Sequence, residues 1–273
     1  MLKDMLNNVR AHTPLVHNIT NYVTVNDCAN ILLACGGSPI MSDDLGEVEE
    51  ITSICGGLNI NIGTLNSRTI PAMLAAGKKA NELGHPVVLD PVGAGASTLR
   101  TQTALKLLEE VQFTVIRGNI SEIKTLATGS GTTKGVDADV ADSVTPETLP
   151  QAVAFAKAFA KNAGAVIAIT GAIDIVADSE TAYCIYNGHP MMGKITGTGC
   201  QLSAMTAAYI TANPGHVLEA TAAAVCVMGL CGEIGYARLG SQDGNSSYRN
   251  YIIDAVYHLD GEALEAGAKY QIL

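Results

Sequence analysis

The sequence predicts an α/β fold: a mostly parallel central sheet with helices on both faces. Three observations carry that prediction. Short apolar runs alternate with longer segments of helical periodicity along most of the 273 residues. The runs are nearly continuous in apolar residues, as expected of strands buried on both faces. Apolar residues make up 48% of the chain, yet there is no Trp and only three Phe, so the core is built from Ala, Val, Ile, Leu and Met. That length and composition suit one domain over residues 1–273.

Taken in order, the expected strands are Leu15–His17, Pro39–Met41, Leu58–Ile62, Pro86–Leu89, Thr114–Ile116 and Ala165–Ile169. Each but the first follows a helical stretch. Ala104, Leu107, Leu108 and Val111 show the helical spacing i, i+3, i+4, i+7. After Ile169 the pattern changes. Asp174–Ala177 and Ala182–Tyr186 read as a hairpin or meander, and long helices follow at about Thr198–Thr211, Val217–Leu239 and Ser246–Asp260. The glycine-rich stretch 129–135 is the most loop-like part of the chain.

Net charge is −10, and no basic run exceeds Lys78-Lys79, so no basic face exists to displace counterions from nucleic acid. The seven cysteines are odd in number and include no C-x-x-C pair, which argues against a disulfide framework or zinc site and for reduced thiols in the cytoplasm. The N-terminus MLKDMLNNVR carries charge where a signal peptide is apolar. The uncharged run Ile195–Leu218 is too polar for lipid, and Ala220–Gly232 is too short to span it. Both read as buried helices, with no membrane partner expected.

The residues with chemistry follow strands. Asn18–Asn21, Met41, Asp90, Arg117 and Thr170 each stand at or just after an apolar run, which places them on one edge of a parallel sheet, where such sheets bind ligands. Two phosphate-loop candidates divide differently. Lys134 lies between Thr133 and Gly135, which breaks the Walker pattern, and the turn Gly197-Thr198-Gly199-Cys200 lacks the third glycine of a dinucleotide fingerprint. The second turn nevertheless opens a helix. Its leading N–H groups can take a phosphate or a developing oxyanion, or it can be a plain turn into a core helix with Cys200 buried.

The ordered motifs PLVHNITNYVTVNDCANILLACGGSPIM (14–41), LNINIGTLN (58–66), PVVLDPVGAGAS (86–97), IRGNISEI (116–123), VIAITG (166–171) and ITGTGC (195–200) resemble the hydroxyethylthiazole kinase family of the ribokinase-like superfamily. The resemblance implies a ribokinase-like fold and phosphoryl transfer from ATP to the primary alcohol of 4-methyl-5-(2-hydroxyethyl)thiazole, with Mg²⁺. It also implies a homotrimer with its sites between subunits. On this reading Gly197, Thr198 and Gly199 form an anion hole. Cys200 occupies the position where related kinases carry Asp, orienting the hydroxyl and acting as a weak base whose pKa the helix N-terminus lowers.

The resemblance assigns Arg117 and Thr170 to ATP, Asn21, Met41 and Gly197 to the thiazole alcohol, and Asp90 and Glu122 to the metal. Several have a plainer alternative. Asp90 can cap its turn. Asn119-Ile-Ser-Glu122 has the spacing of a capping box. Arg117 can pair with a carboxylate, although its forked donors suit phosphate. Met41 can simply pack in the core, and His17 reads as structural. Segment Asp243–Tyr248 departs from the Gly-Pro-Gly-Ser-Phe of many relatives. Two other readings compete: a kinase of another small vitamin-precursor alcohol, which Cys200 disfavours, and a nucleotide-binding sensor without catalysis, which the retained Asp90, Arg117 and Glu122 disfavour.

Overall fold

The computed structural model describes residues 1–129 and 143–273; the sequence expectation for the loop at 129–135 falls almost wholly outside them. The described strands form one sheet. β1 (Leu15–Ile19), β2 (Ser38–Met41), β3 (Gly57–Asn61), β4 (Val87–Asp90), β5 (Val115–Asn119) and β6 (Val166–Thr170) run parallel. β7 (Asp174–Ala177), β8 (Ala182–Ile185) and β9 (Tyr270–Ile272) extend it antiparallel, giving the order β2-β1-β3-β4-β5-β6-β7-β8-β9.

Strand alternation divides the core in two. Val16, Val88, Val115, Val166 and Ala168 face a helical layer containing α1 (Leu2–His12), α2 (Val25–Cys35), α8 (Thr198–Ala212), α9 (Val217–Ala237) and α10 (Asn245–His258). Their neighbours Leu58, Ile60, Val87, Leu89, Ile116, Ile167 and Ile169 face the opposite layer, built on α4 (Thr69–Leu83), α5 (Thr98–Glu110), α6 (Ile120–Thr128) and α7 (Leu149–Ala163). Two shorter helices, α3 (Val48–Ile54) and α11 (Gly261–Gly267), complete the described set. Because each face of a strand meets a hydrophobic layer, the strands read as continuous apolar runs rather than alternating ones.

Strand boundaries differ from the sequence expectation by one to three residues: β3 ends one residue sooner than expected and β8 stops at Ile185. β1, β4, β5 and β6 each run at least one residue further, taking in Asn18, Asp90, Arg117 to Asn119, and Thr170. Asn18, Asp90, Arg117 and Thr170 are therefore in the sheet, while Asn21 lies just beyond it. The first strand also follows a helix, α1, whose buried Leu2, Met5, Leu6 and Val9 recur at i, i+3, i+4 and i+7. At 21 residues, α9 ends two residues short of the expected Leu239 and is long and apolar enough by those measures alone to cross a membrane. Its place in the core, against α8, α10 and α1, accounts for that apolarity. In segment Asp243–Tyr248, Asp243 accepts from the Gly240 N–H, and the buried Tyr248 donates its hydroxyl to Gly232 O.

Candidate active site

The site begins with a row of polar side chains on the sheet face that α8 covers. On β1 and β3, Asn18, Asn59 and Asn61 interrupt the apolar run; on β4 and β5, Asp90 and Arg117 do the same. Asn18, Asn59, Asn61 and Asp90 are buried. Polar groups this deep require partners, and they find them in one another. Asn59 Nδ2 donates to Asn18 Oδ1 at 3.1 Å, and Asn61 Nδ2 donates to Asp90 Oδ2 at 2.8 Å. Ser203 on α8 donates to the same Asp90 oxygen at 2.8 Å.

Asn21, just past β1, joins this network to Cys200. Its Nδ2 lies 3.0 Å from Asn61 Oδ1 and 3.2 Å from Cys200 Sγ, while its Oδ1 accepts from the Thr24 hydroxyl at 3.1 Å. Burial pushes the Cys200 thiol up, and the Asp90 carboxylate adds to the rise. This corrects the expectation that the helix N-terminus would lower it: low dielectric and a neighbouring anion outweigh the dipole. Cys200 is a neutral thiol in this setting.

α8 is entered from its N-cap, Gly197, whose φ of +88° puts the backbone in the left-handed region. A Cβ there would collide with Thr24. The helix has no side-chain cap; its first closed turn is Gln201 N–H to Gly197 O at 2.9 Å. The N–H groups of Thr198, Gly199 and Cys200 precede that bond at the positive end of the helix. Against them lies Arg117, and a Cβ on Gly199 would sit 2.5 Å from its Nη1. Gly199 is thus glycine because the guanidinium occupies the space a side chain would need.

Arg117 ties the two halves of the site. Its Nη1 is 3.5 Å from Asp90 Oδ2, and its Nη2 donates to Thr170 Oγ1 at 2.5 Å. The ion-pair reading of this residue holds, and its Nε is buried without a partner. Beside it opens a cleft of about 570 Å³, lined at one end by Arg117, Thr170, Thr198 and Gly199 and at the other by Tyr186, Met192 and Met228. Asn21, Met41 and Cys200 are not among its lining residues, so the glycine turn separates an open cleft from a packed network.

Glu122 does close the capping box: Oε2 accepts from Asn119 N–H at 2.8 Å, and Asn119 Oδ1 accepts from Glu122 N–H at 2.9 Å. Its other oxygen takes Gly93 N–H at 2.7 Å, which binds the Asp90-Pro-Val-Gly loop to α6. Burial, with Asp90 nearby, pushes Glu122 up to about 7; burial also raises Asp90, against the pull of Arg117. Among the described residues no cluster of three acidic, His or Cys side chains could hold a metal. The donor set suits a hydrated divalent ion instead. Asp90 Oδ1 is buried with no partner, and each Glu122 oxygen keeps a free lone pair.

Most of the residues anticipated from sequence converge here: Asn21, Asp90, Arg117, Glu122, Thr170 and Gly197 to Cys200. Met41 stands apart, part-buried at the end of edge strand β2 beside Asn18 in register. His17 is structural, its Nδ1 2.9 Å from Thr52 Oγ1 and its Nε2 2.9 Å from Ser42 O. Sequence reasoning passed over Asn61, Ser203 and Thr24. Asn59 and Asn61, two residues apart in an otherwise apolar strand, were the available signal, since they must share one face. Ser203, three positions after Cys200, shares its helix face.

The model of the hydroxyethylthiazole kinase family matches residues 6–262. A hydroxyethylthiazole kinase from Clostridium acetobutylicum is 71% identical over 271 residues, covering 99% of both chains, and one from Desulfovibrio desulfuricans is 49% identical over 97% of this chain and 96% of its own. Among solved structures, the hydroxyethylthiazole kinase protein of Pyrococcus horikoshii superposes with a TM-score of 0.88 at 34% identity, covering 100% of this chain and 98% of its own. A Staphylococcus aureus pyridoxal kinase in complex with ADP shares the ribokinase-like fold, with a TM-score of 0.64 at 14% identity over 95% of this chain and 97% of its own. The chain belongs to the hydroxyethylthiazole kinase family.

Proposed function

We propose that this protein transfers the γ-phosphoryl group of ATP to the primary alcohol of 4-methyl-5-(2-hydroxyethyl)thiazole, forming the thiazole phosphate used in thiamine salvage. The observation that carries the proposal is the position of the glycine turn, with an open cleft on one side and the Asn21–Cys200 contact on the other. ATP lies in the cleft, its phosphates toward Arg117, Thr170 and the N–H groups of Thr198 and Gly199. The alcohol lies beside Cys200, Asn21 and the backbone of Gly197, with Met41 against the ring. A flat heterocycle suits the soft sulfur of Met41.

In the transfer, the alcohol oxygen forms a bond to phosphorus as the bond from phosphorus to the ADP oxygen breaks. Charge spreads over the phosphoryl oxygens, so fixed N–H donors and Arg117 supply most of the stabilisation. Cys200 orients the hydroxyl; held as a neutral thiol by burial, it is not the base, and the alcohol's proton passes late in the transfer to an oxygen of the transferred phosphoryl group or to solvent. Asp90 and Glu122 would hold Mg²⁺ through its waters, and the ion would neutralise phosphate charge.

One continuous sheet supports a single domain. Exposed Tyr22, Val23 and Leu45, on the loops after β1 and β2, support the homotrimer with sites between subunits. The seven free, buried cysteines suit a reducing cytoplasm. The test is turnover of purified protein with ATP, Mg²⁺ and a panel of alcohols. Preferred phosphorylation of hydroxyethylthiazole supports the proposal; preferred turnover of pyridoxine or a pyrimidine alcohol, or nucleotide binding without turnover, refutes it. Light scattering of the same sample, expected at three chains, checks the assembly.

A further inference from the structure

Arg100 is out of place by local rules. It occupies the first turn of α5, where the helix dipole disfavours a cation, and it has no ion pair among the described residues. Ser97 already caps that turn, accepting from the Arg100 N–H at 3.3 Å, so the side chain is free for another role. It reaches back toward the sheet. Nη1 donates to Val92 O at 3.0 Å and Nη2 donates to Gly63 O at 2.7 Å.

Those two carbonyls belong to the loops that leave β3 and β4, and each loop carries one half of the site. Gly63 N–H donates to Asn61 Oδ1 at 2.9 Å, the same oxygen that receives Asn21 Nδ2. A Cβ on Gly63 would meet Asn21 Nδ2 at 2.9 Å, so that loop is the wall against which Asn21 rests. Val92 lies two residues after Asp90 and one before Gly93, whose N–H holds Glu122. Gly93 has a φ of +75°, and a Cβ there would strike the Arg100 guanidinium. A closed ring results: Arg100 to Gly63, Gly63 to Asn61, Asn61 to Asp90, and along the chain to Val92 and back to Arg100.

We infer that Arg100 is a positioning residue, holding the alcohol-side loop after β3 and the metal-side loop after β4 at a fixed spacing. The inference rests on the kinase reading above, in which Asn21 meets the alcohol and Asp90 and Glu122 the metal. A guanidinium suits the task because its planar fork reaches two carbonyls at once; an ammonium on a single stem is a point donor. Arg117 and the α8 amides, which meet the nucleotide, make no hydrogen bond to Arg100, so the effect is confined to the alcohol and the metal.

The test compares wild type with Arg100→Ala and Arg100→Lys in steady-state kinetics, varying hydroxyethylthiazole, ATP and Mg²⁺ separately, with thermal melts to establish folding. Arg100→Ala should lower kcat/KM for the alcohol by about tenfold to a hundredfold, as small misplacements do. It should raise the Mg²⁺ concentration for half-maximal rate and leave ATP affinity within about twofold. Added guanidinium ion should restore part of the loss, and Arg100→Lys should restore less. Constants of the folded Arg100→Ala enzyme within twofold of wild type would overturn the inference. So would a fall in kcat that guanidinium does not relieve and that leaves both KM values and the Mg²⁺ requirement unchanged. If Arg100→Ala does not fold, Arg100→Lys and Arg100→Gln carry the same comparison. Failure of wild type to phosphorylate the alcohol would sink the kinase reading; wild-type turnover with unaffected Arg100 variants would sink this inference alone.

Discussion

Two unlike half-sites meet at the glycine turn. The cleft side offers backbone N–H groups, one guanidinium and an open volume of about 570 Å³. On the other side, Asn21, Asn61, Asp90, Cys200 and Ser203 form a packed, hydrogen-bonded network, with Asp90 Oδ1 left without a partner. The comparison teaches that substitutions on the two sides should fail differently. Loss of one donor in an open cleft is partly made good by water. Loss of one member of a buried network leaves its neighbours without partners and moves them.

The largest expected effect is at Asp90, where the network, Arg117 and the metal role coincide. Asp90→Asn should cut turnover about 10²- to 10³-fold or more, as removal of a principal electrostatic group does, and should weaken Mg²⁺ activation; a loss under tenfold would break the comparison. Next is Gly199→Ala on the cleft side. Its Cβ would displace the Arg117 guanidinium, so kcat/KM for ATP should fall about tenfold to a hundredfold, with the KM of the alcohol little changed. An equal rise in both KM values would mean that the turn does not separate the half-sites.

Smaller effects sharpen the picture. Cys200→Ser should slow turnover about tenfold without abolishing it, below the 10²- to 10⁴-fold of a true general base. Cys200→Asp should preserve or raise turnover; an inactive Asp variant that still binds the alcohol would contradict the role given to this position. The smallest effect is on stability. Glu122 is held near 7 when folded and has an ordinary carboxylate value when unfolded. Between those values the folded state binds more protons, so ligand-free stability falls as pH rises from about 4.5 through 7. Asp174, raised to about 7 by burial, and Asp90, raised by burial too, add to the same trend, so melting temperatures across that range should show the decline and Glu122→Gln should lessen its slope without abolishing it.

Much of this was legible in the sequence because apolar strands and the polar residues ending them are local signals. β1 to β6 and the positions of Asp90 and Thr170 at strand ends follow from such runs, whereas Arg117, expected after its strand, lies in the middle of β5. Asn61 and Ser203 were not, since their importance depends on which helix lies over which strand. The pKa of Cys200 was read with the wrong sign for the same reason. The helix N-terminus is visible in the sequence GTGCQLSAM, whereas the burial and the neighbouring Asp90 that dominate it come from β4, far off in the chain. Arg100 looks like an ordinary helix residue until the two carbonyls it reaches are seen.

The most direct test of the central claim is a crystal structure with a non-hydrolysable ATP analogue, Mg²⁺ and hydroxyethylthiazole bound together. The account predicts the terminal phosphoryl group within hydrogen-bonding distance of the Thr198 and Gly199 N–H groups and of Arg117, with the alcohol oxygen beside Cys200 Sγ and Asn21. Phosphates seated away from the start of α8, or an alcohol bound on the cleft side of the turn, would contradict it.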